Sequence, residues 1–136
     1  NNLENIKLYN VALSDKKRDI TMWVSDKNKT GGFSVFDKND QELAKYKKDK
    51  IFHTVCKSDQ GDHLLDLKNK NIAIKIDVER HEKNVLDGMP KLLKNNKVIL
   101  QIELFDQRKD EVIEKLKQKN FFKNHKIKKD YYFKNF

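Results

Sequence analysis

Between positions 72 and 88 the hydrophobic period of the chain changes from that of a strand to that of a helix, and this switch narrows the folds open to it. Ile72-Ala73-Ile74-Lys75-Ile76 is short, apolar and β-branched, the composition of a buried strand. From Val85 the apolar positions recur as Val85, Leu86, Met89, Leu92 and Leu93, at helical spacing. Between them lie Asp77, Glu79, His81 and Glu82, side chains able to move protons or hold a cation. Ligands of open α/β sheets bind beyond the carboxyl ends of the strands, so this junction places polar residues where chemistry is usually done.

The residues downstream extend the pattern. Gly88-Met89-Pro90 interrupts the helix, and Pro90 suits the first position of a second short one because its missing N–H has no partner there anyway. Residues 98–105 read as another strong strand. Asp106 is the expected N-cap of a helix carrying Val112, Ile113 and Leu116, with Glu111 and Lys115 as an i,i+4 pair and Phe121-Phe122 closing it. The tail predicts a hairpin around Lys128-Lys129-Asp130. Strand, helix, strand, helix, hairpin argues an α/β chain with a mostly parallel sheet and an antiparallel C-terminal addition.

Upstream, residues 6–13 read as a strand, Ser14 to Lys17 as turn chemistry, and residues 20–24 as a second strand, neighbour or hairpin partner of the first. Residues 25–32 form a polar loop ending in Gly31-Gly32, 33–36 a brief apolar return, and 37–50 a charged loop or short surface helix. Residues 51–55 predict a third strand and 62–67 a helical turn. With no repeat and no linker, 136 residues make a single domain.

Composition sets the function classes. At 38% charged and 37% hydrophobic the chain is globular. No run approaches the roughly 20 apolar residues of a membrane span, and no signal-like apolar segment precedes the first strand. A single cysteine, Cys56, excludes an internal disulfide and suits the cytoplasm. The net charge of +9 invites a nucleic-acid reading. That reading is discounted, because the only arginines are Arg18, Arg80 and Arg108, and the lysines are scattered among asparagines along the whole sequence.

Ile74-Lys75-Ile76-Asp77-Val78-Glu79-Arg80-His81-Glu82, followed by Val85-Leu86 and Gly88, resembles the signature segment of the FkbM family of S-adenosylmethionine-dependent methyltransferases. Asn10-Val11-Ala12-Leu13-Ser14-Asp15 is similar to the family's third-strand segment, Gly31-Gly32-Phe33-Ser34 to its later Gly/Ser loop, and Leu64-Leu65-Asp66-Leu67 loosely to the run before its central strand. Ile102-Glu103 and the closing hairpin also fit. The resemblance implies a Rossmann-like methyltransferase fold, with residues 1–136 as one partial domain lacking the first strands and their Gly-rich cofactor loop. It implies S-adenosylmethionine as the parent enzyme's cofactor and a hydroxyl on a sugar, glycolipid or polyketide-like molecule as acceptor. Without the first strand, residues 72–76 would present an open edge that favours homo-oligomers. Arg80 stands where the family has glycine; if that position requires φ > 0, arginine costs about 1–2 kcal/mol there.

An alcohol acceptor must lose its proton, and a carboxylate or histidine within reach can take it. Asp77 and Glu79, at i and i+2, share a side if the strand persists. His81 is then the base, oriented by Asp77 or Glu79, with Glu103 on the next strand a further catalytic candidate. Glu82 reads as structural, favouring a helix N-terminus. The resemblance places Asn10, Ala12, Leu13 and Ser14 beside the adenine. The same carboxylates suit Mg²⁺ or Mn²⁺, but no metal is expected. His53, Cys56 and His63 lack a fourth zinc ligand at useful spacing. The alternative to an enzyme is a non-catalytic, Rossmann-like interaction module.

Overall fold

The computed structural model describes residues 4–24, 34–35, 51–105 and 108–136, residues 34–35 by their backbone alone. Along the chain come strands β1 (Ala12–Leu13), β2 (Arg18–Val24), β3 (Ser34–Val35) and β4 (Phe52–Asp59), helix α1 (Gly61–Leu64), strand β5 (Asn71–Ile76), helices α2 (Glu82–Asp87) and α3 (Pro90–Lys94), strand β6 (Lys97–Glu103), helix α4 (Lys109–Gln118), and strands β7 (Phe122–Ile127) and β8 (Asp130–Lys134). They form two four-stranded sheets, ordered β1-β4-β2-β3 and β5-β6-β8-β7. The architecture is α/β, with both sheets mixed. β1–β4 and β5–β6 run parallel, whereas β2–β3, β2–β4, β6–β8 and β7–β8 run antiparallel. This corrects the expectation of a mostly parallel sheet. Parallel neighbours need a long crossover, which α2 and α3 provide between β5 and β6, while Lys128-Lys129 can only turn β7 back along β8.

In the first sheet β4 lies between β1 and β2, so the first two strands are not neighbours. β2 pairs with β4 from Arg18↔Ser58 to Val24↔Phe52. The strand expected over residues 6–13 shrinks to Ala12–Leu13, because Ile6 and Leu8 find nothing to bury against and are 54% and 88% exposed. Ser58 fastens the sheet by donating its hydroxyl proton among the Lys16 and Arg18 carbonyls, 2.8 and 2.9 Å away. Trp23 packs its ring 5.2 Å from that of His53 across the β2–β4 pair. Residues 37–50, read as a loop or short helix, and Gly31-Gly32 lie outside the described residues.

The second sheet carries the core. Val98, Leu100 and Ile102 of β6 are fully buried on one face, while Ile99 between them is 46% exposed. Phe133 of β8, the partner of Leu100, extends that face, and in the same core lie Val85 and Leu86 of α2, Leu92 and Leu93 of α3, and Val112 and Leu116 of α4. Burying each such side chain contributes roughly 1.5–3 kcal/mol. The hairpin expected at the C-terminus forms as β7 and β8, with a register shift between Lys123 and His125. β5 stands at the end of its sheet, with no second neighbour among the described residues.

Helix starts show how the elements are tied together. Pro90 opens α3 as expected, and the Lys91 and Leu92 N–H groups both donate to the Asp62 carboxylate at 2.8 Å. α4 has Arg108 at its N-cap position, and Asp106 lies outside the described residues. The expected Glu111–Lys115 pair gives way to a tertiary one, since Lys115 reaches Asp87 of α2 instead.

Candidate functional site

β5 ends at Ile76, and the chain turns sharply before α2 begins. Glu79 and Arg80 have φ of 47° and 72°, two successive non-glycine residues in the left-handed region, each at a cost of about 1–2 kcal/mol. Strand alternation therefore stops before Glu79, which corrects the i,i+2 geometry expected for Asp77 and Glu79. The turn is held by several contacts. The His81 N–H donates to the Val78 carbonyl at 3.2 Å, and the Arg80 N–H to Glu82 Oε1 at 2.9 Å. Arg108 donates to the Arg80 carbonyl at 3.4 Å, and the Arg80 guanidinium lies 4.9 Å from the Phe105 ring centre. Lys129 sits 4.4 Å from the same ring. Glu82, 3% exposed, is structural as expected; burial pushes its carboxyl up against the backbone hydrogen bonds that pull it down.

Asp77 and Glu103 stand at the ends of adjacent parallel strands, near enough for the charge of one to act on the other. Burial, then the Asp77 charge, pushes the Glu103 carboxyl up. Burial, then the charges of Glu103 and Asp77, does the same to Glu79. Lys75 neutralises part of this cluster, its ammonium 2.5 Å from Asp77 Oδ2. Burial and the neighbouring Asp77 charge both favour retention of a proton on Glu103, which makes it a stronger base than an isolated carboxylate.

His81 belongs elsewhere. Its Nε2 lies 3.0 Å from Ser14 Oγ, which donates to Asp15 Oδ1 at 2.9 Å. With the hydroxyl proton directed at Asp15, Ser14 accepts from His81, which puts the imidazole proton on Nε2. Ser14 is fully buried and His81 is 8% exposed. Burial pulls the imidazole pKa down to about 4, against the opposing charge of Asp15, so it is neutral at pH 7. Asp15 is pushed up by burial, but hydrogen bonds from Ser14 and Asn84 and the Arg18 charge outweigh this and hold it low. The charges acting on His81 are those of Asp15, Arg18 and Arg108, whereas Glu79 responds to Glu103, Asp77, Arg80 and Glu82. The expected orientation of His81 by Asp77 or Glu79 is thus corrected: Ser14 and Asp15 take that part.

The segment expected beside an adenine is divided. Asn10 and Leu13 are exposed and Ala12 is half-buried, while Ser14 turns inward. Ser14 also donates its N–H to the Asp59 carbonyl at 2.9 Å, and a Cβ on Gly88 would stand 2.0 Å from the Ser14 carbonyl oxygen. Gly88 thus lets the end of β1 rest directly on the α2–α3 corner. The zinc reading dissolves further, since His63 bonds Asp59 at 2.9 Å while His53 packs on Trp23. Two features escaped sequence reasoning: Asp15, read only as a turn residue, and Phe105 with its flanking cations. An arginine at a glycine position, with an aromatic after the next strand, was the one available signal for the latter.

Among the described residues no helix is long and apolar enough to cross a membrane. Comparisons with curated proteins and with solved structures find no match. The family model of the methyltransferase FkbM domain matches residues 1–125. That span takes in both sheets up to β7, the carboxylate pair and the Ser14–His81 contact: the chain belongs to the FkbM methyltransferase family.

Proposed function

We propose that the chain carries the acceptor-activating part of an S-adenosylmethionine-dependent O-methyltransferase, acting on a hydroxyl of a sugar, glycolipid or polyketide-like molecule in the cytoplasm. The observation that carries the reading is the placement of Asp77 and Glu103 side by side at the carboxyl ends of two adjacent parallel strands. The order β5-β6-β8-β7 and the helical crossover between β5 and β6 support a Rossmann-like methyltransferase domain. The donor set fits the cofactor: three carboxylates suit a cationic sulfur, and exposed Asn10 and Leu13 offer an amide and an apolar surface to a purine. When bound, S-adenosylmethionine supplies a methyl group on a positively charged sulfur. Asp77 and Glu103 together accept the proton of the acceptor hydroxyl, and burial of Glu103 raises its affinity for that proton. Glu79 adds negative charge beside them. Ser14 and His81 are positioning residues that fix the turn on which Glu79 sits.

Titration with S-adenosylmethionine and methyl transfer to a panel of hydroxyl acceptors test the reading. Glu103→Gln is expected to lower kcat about 10²- to 10⁴-fold while cofactor affinity stays within a few-fold. If neither this chain nor one extended to include a Gly-rich cofactor loop binds S-adenosylmethionine, the proposal falls and the non-catalytic module remains. One observation favours that second reading, the arginine held at φ 72° in the signature turn.

A further inference from the structure

At the other end of the second sheet, roughly 17 Å of strand away from the carboxylates, the structure brings four lysines together. Residues 68–71 (Lys-Asn-Lys-Asn) lead into β5 and residues 94–97 (Lys-Asn-Asn-Lys) lead into β6; together they line a cleft of about 750 Å³. No acidic side chain lines it. Asp66 pairs with Lys68 at 3.1 Å, and Lys97 lies 5.9 Å from the Phe136 ring centre. Among the described residues, Lys70 and Lys94 have no ion-pair partner.

The two segments are fixed to each other rather than merely adjacent. The Asn69 N–H donates to the Asn95 carbonyl and the Lys97 N–H to the Lys70 carbonyl, both at 2.9 Å. The Lys70 N–H donates to Asn96 Oδ1 at 2.9 Å, and Asn96 Nδ2 reaches the Leu67 and Leu92 carbonyls at 2.8 Å. Two further carbonyls at the end of α3, which would repel an anion, are also engaged. The Lys91 carbonyl accepts from the Asn95 N–H at 2.9 Å, and the Leu93 carbonyl from Asn135 Nδ2 at 3.0 Å. Asn135 Nδ2 also donates to the Asn96 carbonyl at 3.0 Å. The cleft is thus lined by four lysines and the asparagines between them on a cross-linked backbone, with the Asn96 amide already engaged. A concave wall lined by one sign of charge focuses its field and concentrates counter-ions.

We propose that this cleft binds a compact polyphosphate anion at a site separate from the carboxylate pair. Its concavity and its volume, within the range of small-ligand pockets, favour a small multiply phosphorylated molecule over a flat surface such as a membrane. Lysine is a point charge with three donors, suited to phosphate oxygens without fixed bidentate geometry, and the amides add neutral donors beside it.

Calorimetric titration of the 136-residue chain with inorganic tripolyphosphate tests this. Saturable single-site binding that weakens with added salt is expected. Lys70→Glu with Lys94→Glu is expected to weaken it about tenfold or more. Lys57→Glu with Lys126→Glu, which removes the same net charge at residues outside the cleft lining, Lys126 standing level with Ile102 at the opposite end of the sheet, leaves it within about twofold. Because glutamate at the end of α3 opposes the helix dipole, Lys70→Gln with Lys94→Gln is run beside it; a smaller loss in the same direction supports the cleft. Absence of saturable binding, or equal losses in the cleft and control variants, overturns the proposal. Capture by phosphatidylserine vesicles without tripolyphosphate binding likewise overturns it in favour of a lipid surface. None of these readouts depends on S-adenosylmethionine.

Discussion

Arg80 occupies backbone that glycine adopts freely, and its side chain compensates in part by lying over Phe105. The cation–π contact contributes about 0.5–1 kcal/mol, less than the roughly 1–2 kcal/mol of left-handed strain. Arg80→Ala loses the contact and keeps the strain; Arg80→Gly loses the contact and sheds it. Urea denaturation is therefore expected to find the glycine variant more stable than the alanine variant by about 1 kcal/mol. Equal stabilities would mean the turn relaxes on substitution. His81 makes a second prediction at this scale. Its folded pKa of about 4 lies below the 6.5 of the unfolded chain, so the unfolded state binds more protons between those values. Its stabilising effect is complete above pH 6.5 and is lost as pH falls toward 4, by up to about 3 kcal/mol. Glu79, Glu82 and Glu103, raised in the fold, act in the opposite direction. His81→Gln is expected to flatten the rise in stability between pH 4.5 and 6.5, and an unchanged slope would exclude the buried imidazole as its source. Neither effect could be read from sequence in full. The strain at Arg80 was legible as an arginine in a glycine position, whereas Ser14 and His81 are 67 residues apart and meet only in the folded chain.

Elements whose partners are local in sequence were legible; those tied by distant contacts were not. The β7–β8 hairpin, the proline start of α3 and the β5-to-α2 switch follow from neighbouring residues. The cap of α3 comes from Asp62, and the partner of Lys115 is Asp87 rather than its own helix neighbour. Gly88 shows how tight these joins are. Its φ of −82° suits any residue, so backbone freedom does not explain the glycine. Space does: an alanine Cβ would sit 2.0 Å from the Ser14 carbonyl oxygen, a backbone atom that cannot swing aside. Gly88→Ala is expected to force β1 off the α2–α3 corner and cost about 2 kcal/mol or more. Gly61→Ala meets the Met89 Cβ at 3.0 Å, an overlap that a shift of a few tenths of an ångström relieves, so it is expected to cost less than Gly88→Ala. Thermal unfolding of the pair checks the order, and a milder effect at Gly88 would contradict the join.

On the scale of the whole molecule the two sheets differ in what holds them. Every fully buried hydrophobic residue among those described lies between Ile76 and Phe133, in the second sheet and its helices. In the first sheet the buried residues are the polar Ser14 and Ser58, and its strands present half-buried or exposed side chains to one another. The sequence could not reveal this, because Ile20, Met22, Trp23 and Val24 are as apolar as the β6 run and only the placement of the helices decides which sheet they cover. Regions with few buried apolar contacts open at lower free energy than the core. Native-state hydrogen exchange is therefore expected to separate the sheets. Amides of β6 and β8 that bond across the Leu100↔Phe133 and Ile102↔Tyr131 pairs should exchange only by global unfolding. Those of the β2–β4 pairing should exchange through a smaller opening, a few kcal/mol less costly. The half of the proposed site on β1 would move with that opening, while Asp77 and Glu103 would stay on the stable sheet. If S-adenosylmethionine touches both halves, adding it should slow exchange in β2–β4 more than in β6–β8. Equal protection of both sheets without ligand would show that the first sheet is held by contacts other than those described, and the two-level stability argued from burial would fail.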